Sequence, residues 1–267
     1  MAEARHQTAL SIADPLILCL LSRRELGHYS SCHAMNLTAQ DLARLIDLSS
    51  VRAECDETEI RELAATARKL GVVCVFSLPC YTRLLKSLLA DAPHIGIGGV
   101  VGFPSGAHTT SIKVAEARQL LAEGATELDM VINVGWLRSG RHEAVREDIR
   151  AVVEAAGGVP VKVILECHWL TAEQIRSGSE LCVEAGAAWV KTGTGWAPTG
   201  ATRENVALIH EAVGGRAGIK ASGGVRDLAT IVAMYRLGVR RFGIGTASGI
   251  RILAECAAQP GGGVSVS

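Results

Sequence analysis

Short apolar runs alternate with longer stretches of mixed polarity through most of this chain. The short runs are rich in β-branched and other apolar residues, which is typical of strands buried on both faces. Glycine or polar residues separate each run from the stretch that follows it. The pattern predicts eight strands: Leu45–Ser49, Val72–Ser77, Ile95–Phe103, Glu127–Asn133, Val161–Glu166, Trp189–Thr192, Gly218–Ala221 and Arg241–Thr246.

The longer stretches carry apolar residues at helical spacing, as in Ile60, Leu63 and Ala67. Several end in a glycine, the residue that most readily adopts the left-handed conformation of a helix C-cap. These glycines are Gly71, Gly124, Gly157, Gly186 and Gly238. The predicted helices are Glu57–Leu70, Tyr81–Leu89, Ser111–Glu123, His142–Ala156, Ala172–Ala185, Arg203–Val213 and Leu228–Leu237.

Strict alternation of strands and helices predicts parallel strands joined by right-handed crossovers. A length of 267 residues suits a single (β/α)₈ barrel, which typically takes about 250 residues. An open, doubly wound sheet is the alternative, but no G-x-G-x-x-G motif follows the first strand. The predicted fold class is therefore α/β, a (β/α)₈ TIM barrel in a single domain over residues 35–258.

The two ends of the sequence differ from the repeating part. Residues 1–34 show no clear periodicity and are expected to form a poorly ordered N-terminal extension, and residues 259–267 a flexible tail. The apolar stretch Pro15–Leu21 is too short to cross a bilayer and lacks the flanks of a signal peptide. These features predict a cytoplasmic protein that does not enter a membrane.

The composition argues against binding to nucleic acid or membranes and against a zinc site. Lys plus Arg and Asp plus Glu both number 27, so the chain has no overall charge to attract nucleic acid or an anionic membrane. The eight cysteines include no C-x₂-C pair and no zinc-type spacing to histidine. We therefore expect reduced core thiols, no metal and no cofactor. The oligomeric state is left open, with a homodimer as one option.

Charged residues stand at the ends of several predicted strands. Asp129, Lys191 and Lys220 each occupy a strand that should be buried, and Asp47 lies in the first strand. A buried lysine is costly unless it is paired or deprotonated, and a second ammonium nearby lowers its pKa. A free amine can attack a carbonyl, with the aspartate moving protons. The alternative is an interior salt-bridge layer, which is the preferred interpretation for Lys162, deeper in its strand.

Glycine-rich segments end the last three strands, in Thr192-Gly-Thr-Gly, Ser222-Gly-Gly and Gly243-Ile-Gly-Thr-Ala-Ser. Backbone N–H groups in such segments, followed by helix N-termini, bind anions. Barrels of this class often hold phosphate after strands seven and eight. Although glycines also serve simple tight turns, three such segments together predict a phosphorylated ligand.

At these residues the sequence resembles the deoxyribose-phosphate aldolase family, class I aldolases with a (β/α)₈ fold. The similarity extends from about Met35 to Ala257. The motifs that carry it are Val100-Val-Gly-Phe-Pro-Ser-Gly-Ala-His-Thr-Thr, Glu127-Leu-Asp-Met-Val-Ile-Asn-Val-Gly, Val161-Lys-Val-Ile-Leu-Glu, Val190-Lys-Thr-Gly-Thr-Gly and Gly218-Ile-Lys-Ala-Ser-Gly-Gly-Val-Arg.

The resemblance implies reversible cleavage of 2-deoxy-D-ribose 5-phosphate to acetaldehyde and D-glyceraldehyde 3-phosphate, without a cofactor. It implies that Lys191 forms the Schiff base, that Lys220 tunes it and that Asp129 takes part in proton transfer. It also implies that Asp47 and Thr194 place the sugar hydroxyls, and that Gly195, Gly223, Gly224, Gly245 and Ser248 surround the phosphate. Apart from the resemblance, Cys74 is expected near the mouth after the second strand, where it is a candidate substrate contact, although core packing is the preferred interpretation.

Four departures from the family pattern surround the expected substrate. The first strand reads Ile46-Asp-Leu-Ser-Ser-Val-Arg-Ala, where the common pattern is close to I-D-H-T-L-L-K-P, and the second ends Val73-Cys-Val-Phe-Ser-Leu-Pro. Gly193 replaces a serine, and the last strand is about two residues longer. Two alternatives therefore stay open: the same mechanism with a different or unphosphorylated sugar or aldehyde, and a non-catalytic barrel that binds a phosphorylated ligand.

Overall fold

The barrel predicted from the sequence is confirmed by the structure, a computed structural model that describes residues 36–267. Residues 1–34, the expected N-terminal extension, lie outside the described residues. Eight parallel strands are bonded in chain order, and the last closes on the first. They are β2 (Ile46–Ser50), β3 (Cys74–Ser77), β4 (Gly96–Val101), β5 (Glu127–Val131), β6 (Val161–Ile164), β7 (Trp189–Lys191), β8 (Gly218–Ser222) and β9 (Arg241–Gly245).

Helices connect the strands, and all five glycines expected after helices have positive φ. None of the helices in residues 36–267 has the length and apolarity needed to cross a membrane. Single 3₁₀ turns occupy Pro79–Tyr81 and Cys167–Trp169. The α-helices are α1 (Ala39–Ala43), α2 (Glu57–Leu70), α3 (Thr82–Leu88), α4 (Thr110–Ala122), α5 (Val134–Arg138), α6 (His142–Ala155), α7 (Ala172–Glu184), α8 (Arg203–Val213), α9 (Leu228–Arg236) and α10 (Thr246–Ala257).

The C-terminal residues differ from the flexible tail expected from residue 259. Strand β10 (Gly263–Ser265) pairs antiparallel with β1 (Asn36–Thr38), and Val266 after it is buried. The glycines that suggested disorder, Gly261 and Gly262, have positive φ and form the turn that leads into the strand. The expectation is corrected at these residues because the tail finds a backbone partner that no local pattern reveals.

Apolar and charged residues occupy different sides of the strands. Apolar strand residues and the inner faces of the helices form one extensive core cluster, with Leu48, Ile60 and Leu63 fully buried. Inside the barrel the apolar cluster is small and consists of Cys74, Phe76 and Val100. Charged side chains fill much of the remaining interior, so the outer core holds the barrel together while its centre is polar.

A buried ion pair also lies outside the barrel, between α4 and α6. The Lys113 ammonium lies 2.6 Å from Asp148 Oδ2, and both side chains are fully buried. Lys113 also donates to the backbone carbonyl of Val131 at 2.9 Å, and Thr110 donates to Asp148 at 2.7 Å. Burial lowers the pKa of Lys113, although Asp148 opposes that shift. The pair therefore attaches two helices to the end of β5.

Breaking this pair on one side should destabilise the fold more than removing both charges. We expect Lys113→Met to lower the free energy of unfolding by about 3–5 kcal/mol, because Asp148 is left buried without a countercharge. The double variant Lys113→Met/Asp148→Leu should lose less. Denaturant unfolding monitored by circular dichroism measures both. As a control, Arg61→Gln in the exposed pair with Glu57 should stay within about 0.5 kcal/mol. Equal losses in the single and double variants would contradict this role.

Candidate active site

Parallel pairing brings the predicted lysines and aspartate to the barrel centre. Asp129 on β5 is in register with Lys162 on β6, and Lys191 on β7 is in register with Lys220 on β8. In parallel strands, residues in register point to the same face of the sheet. Four charged side chains from four consecutive strands therefore converge inside the barrel.

The Asp129 carboxylate is shared by three lysines. Its Oδ2 accepts from Lys191 Nζ at 2.8 Å and from Lys220 Nζ at 2.6 Å. Its Oδ1 lies 3.3 Å from Lys162 Nζ. Burial alone would raise the pKa of Asp129, but the three ammonium groups hold it well below its usual range. Asp129 is therefore a carboxylate in contact with each of the three lysines.

Lys191 is the most exposed of the three lysines. It is 6% exposed and lines a small cavity with Phe76, Val100 and Phe103; Lys220 also lines this cavity but is 1% exposed, and Lys162 is completely buried. Burial lowers the pKa of Lys191 to about 8; Asp129 opposes the shift and the Lys220 ammonium reinforces it. Burial also disfavours charge on Lys162, but Asp129, Asp47 and Glu127 raise its pKa above the ordinary lysine value. Lys191 is thus the lysine suited to nucleophilic attack.

Asp47 extends the charged network toward β9. Its Oδ2 lies 2.6 Å from Lys220 Nζ, and its Oδ1 accepts from Arg241 Nε at 2.7 Å. Arg241 also donates to both oxygens of Glu127, which in turn binds Lys162. Sequence reasoning gave no role to Glu127 or Arg241. The signal available was their position: each is a charged residue that begins a barrel strand.

Phe76 is a second feature that the sequence did not single out. Its ring centroid lies 4.1 Å from Lys220 Nζ, 5.1 Å from Lys162 Nζ and 5.9 Å from Lys191 Nζ. The ring occupies the space of a missing side chain, because a Cβ on Gly98 would lie 2.1 Å from it. A ring face attracts cations. Phe76 therefore forms an apolar wall of the lysine cavity and also stabilises its charges.

The expected phosphate residues lie together at the C-terminal ends of β7, β8 and β9. Gly195, Gly223, Gly224, Gly245 and Ser248 line one pocket of about 220 Å³ with Thr194 and Ser49. Two cationic residues that the sequence did not indicate, Arg52 and Arg226, line the same pocket. Ser49 and Thr194 also line the cavity of Lys191, so the two spaces adjoin. The arrangement suits a small molecule with a carbonyl at one end and an anion at the other.

The Thr194 hydroxyl, expected to contact a sugar hydroxyl, is already hydrogen-bonded within the protein. Its hydroxyl donates to Glu166 and accepts from the backbone N–H of Trp196 at 3.0 Å. Glu166 has a positive φ of 55° and also accepts from the Thr194 N–H at 3.2 Å. Burial raises the pKa of Glu166 despite these hydrogen bonds. Thr194 therefore fixes the loop after β7, and its hydroxyl has no free proton for a substrate.

The predicted position of Cys74 at the mouth is wrong. The side chain is completely buried at the first residue of β3, at the opposite end of the strand. Phe76, two residues nearer the mouth on the same face, packs against Cys74 and separates it from the cavity. Burial is the main cause that raises the pKa of its thiol well above the ordinary value, with Asp47 and Glu127 adding to it.

One group of metal-ligand type occurs among residues 36–267. The ligand atoms of Asp47, Cys74 and Glu127 lie within 4.8 Å of one another. Both carboxylates are already bound by Arg241, and the high thiol pKa keeps Cys74 protonated. Metal binding needs deprotonated ligands and no competing cations. The donor set therefore fits an ion-pair network better than a metal.

The comparisons with known proteins agree with the resemblance seen in the motifs. Residues 38–255 match the family model described as DeoC/LacD family aldolase. A deoxyribose-phosphate aldolase from Klebsiella pneumoniae subsp. pneumoniae is 52% identical over 228 residues, covering 85% of this chain and 92% of the relative. One from Rhizobium meliloti is 50% identical over 232 residues, covering 87% and 94%.

Solved structures give the same result. The tetrameric deoxyribose phosphate aldolase from Aeropyrum pernix superposes with a TM-score of 0.76 at 30% identity, covering 83% of this chain and 93% of that chain. The aldolase QR15 superposes with a TM-score of 0.76 at 37% identity, covering 80% and 95%. On these grounds the chain belongs to the DeoC/LacD family of aldolases.

Proposed function

We propose that this protein is a class I aldolase that reversibly cleaves 2-deoxy-D-ribose 5-phosphate to acetaldehyde and D-glyceraldehyde 3-phosphate through a Schiff base on Lys191. The observation that carries the proposal is the environment of Lys191, an accessible amine of lowered pKa in contact with a buried carboxylate. The relatives named as deoxyribose-phosphate aldolases support the choice of substrate. The adjoining anion pocket supports it independently.

The proposed chemistry begins when the neutral Lys191 amine attacks the aldehyde carbon of the open-chain sugar. The carbonyl oxygen leaves as water, and a protonated imine forms. Loss of the proton from the C3 hydroxyl then breaks the C2–C3 bond, releasing glyceraldehyde 3-phosphate and leaving an enamine on Lys191. Protonation of the enamine carbon and hydrolysis release acetaldehyde. Asp129 and Lys220 are the groups placed to move these protons, directly or through water.

A same-mechanism aldolase with an unphosphorylated or different substrate is the second candidate. The observation that favours it is the rim of the cavity, where the Trp196 indole donates to the Val51 carbonyl at 2.9 Å and packs edge-on against Phe103. Val51 stands where the family pattern I-D-H-T-L-L-K-P has a leucine. Residues at this rim would contact the substrate and so affect which aldehyde is accepted. Membership of an aldolase family argues against the other alternative, a non-catalytic barrel.

We further propose a cytoplasmic homo-oligomer, with a homodimer as its smallest form. The relative from Aeropyrum pernix is described as a tetramer, and Ile112 and Ile250 are large apolar residues exposed on the helices of this chain. The six cysteines among residues 36–267 are free, and five of them are buried. Reduced thiols of this kind suit a reducing compartment.

Replacing Lys191 tests the proposed nucleophile. We expect Lys191→Met to lower kcat/KM for deoxyribose 5-phosphate by roughly a thousandfold or more, because the variant lacks the amine that would form the imine. Acetaldehyde with borohydride should add an ethyl group to Lys191 of the wild type, located by peptide mapping, and none to the variant. Lys86→Met, on the outer helix α3, serves as the control. An ethyl group on a different lysine, or an unlabelled but folded wild type, would rule out the proposed chemistry.

The pH dependence of adduct formation should report the protonation of Lys191. Only the free amine attacks the carbonyl, so the rate should be low in acid, rise with pH and level off above a midpoint near pH 8. The initial rate of adduct formation, followed by intact mass at each pH, measures this curve. An ordinary lysine would give a midpoint about two units higher. A midpoint that high would show that the site does not lower the pKa of Lys191.

Adding a negative charge to the pocket after β7 to β9 tests its role in phosphate binding. We expect Ser248→Asp to raise KM for deoxyribose 5-phosphate by at least about tenfold, because two like charges are brought together there. KM for unphosphorylated 2-deoxyribose should change little, and Ser248→Ala is the steric control. Equal effects on both sugars would favour the second candidate, in which the pocket does not hold phosphate.

A further inference from the structure

The charged residues of the barrel interior form a closed ring. Each of six side chains contacts two others of opposite charge, and the chain of contacts returns to its starting point. The two residues at the start of a strand, Glu127 and Arg241, close the ring at its deep side. In order around the ring, the residues are Asp47, Lys220, Asp129, Lys162, Glu127 and Arg241.

This ring is electrically neutral without Lys191. Three carboxylates alternate with three cations, so each buried charge already has its partners. Lys191 contacts the ring only through Asp129, whose Oδ2 already accepts from Lys220. A proton on Lys191 would therefore add an uncompensated positive charge to a buried network, which is costly.

We propose that Glu127, Lys162 and Arg241 are positioning residues for the reaction, because they complete a neutral ring of charges that leaves Lys191 without a countercharge of its own and keeps it a free amine. The inference rests on the proposed role of Lys191 as the nucleophile. It assigns to the deep half of the barrel a part in tuning that nucleophile. Lys220 alone does not account for the effect, because its charge is already balanced by Asp47 and Asp129.

The groups near Lys191 that do not belong to the ring leave the balance of charge around its amine unchanged. Cys74 on β3 is a protonated thiol, and Phe76 above it is apolar. Glu166, after β6, is bound to Thr194 and has a raised pKa. On β4, Val100 is the residue that lines the cavity. The remaining charged groups, on β2, β5, β6, β8 and β9, are the ring members Asp47, Glu127, Asp129, Lys162, Lys220 and Arg241.

Two single variants of opposite sign and their combination test the proposal. Lys162→Met leaves the ring with a net negative charge, so the pH midpoint for ethyl-adduct formation on Lys191 should rise by about one unit. Glu127→Gln leaves a net positive charge, so the midpoint should fall, by about half a unit because Glu127 is one contact further along the ring from Asp129 and is partly exposed. The double variant is neutral again, and its midpoint should return toward that of the wild type.

The measurement is the initial rate of adduct formation with acetaldehyde and cyanoborohydride against pH, taken for wild type and variants at the same reagent concentrations so that the pH dependence of the reagent is common to all of them. Glu57→Gln, which removes a negative charge from an exposed pair on α2, should not shift the midpoint. Midpoints that stay fixed, or that move in the same direction in both single variants, would overturn the proposal and leave Glu127 and Lys162 a purely structural role. If Lys162→Met does not fold, Arg241→Gln removes a charge of the same sign and should also raise the midpoint.

The two proposals fail in different ways. A wild type that forms no adduct on Lys191 overturns the proposed function together with this inference. If the wild type and the variants all form the adduct with the same pH midpoint, the proposed role of the ring is overturned and the proposed function stands.

Discussion

The Asp129 carboxylate is the contact on which the active site of this barrel depends. It is completely buried and holds three lysines at once, so its environment must supply compensating positive charge while one of those lysines remains able to react. The structure separates the two requirements by position. Lys162 and Lys220 each contact a second carboxylate of the network, whereas Lys191 contacts Asp129 alone and is the most exposed of the three.

The barrel remains stable with charged residues in its centre because the outer sides of the strands are apolar and the inner sides carry the charges. The apolar core lies between strands and helices and supplies the burial that drives folding. The inner side contributes charges that are expensive to bury and are retained in pairs. Chemistry is therefore placed on strands, whose register fixes distances between side chains, and ligand recognition on the loops that follow them.

Much of the fold was predictable from the sequence because the strand and helix periods differ clearly along this chain. All eight barrel strands were expected near their observed positions, and the glycines after helices adopt positive φ. The pairing of β1 with β10 was not expected, since three-residue strands that meet across the whole chain leave no local pattern. Such contacts depend on the tertiary fold alone.

The site was predictable where a single residue type is anomalous in its context. A lysine in a buried strand stands out, and Lys191 and Lys220 were found in that way. Glu127 and Arg241 begin their strands, where charged residues are ordinary, so only the three-dimensional contacts reveal them. Cys74 was misplaced for a related reason. The sequence gives the strand on which a side chain lies, but not the neighbour that covers it.

The difference in burial between the ion ring and the phosphate pocket bears on how the protein responds to ionic strength. Dissolved ions screen charges that they can approach, over a distance of about 8 Å at physiological salt, and have little effect on charges enclosed by protein. Arg52 at the pocket is more than half exposed, whereas Lys162 and Asp129 are fully enclosed. Salt should therefore weaken the capture of an anionic substrate while leaving the reactivity of the bound amine unchanged.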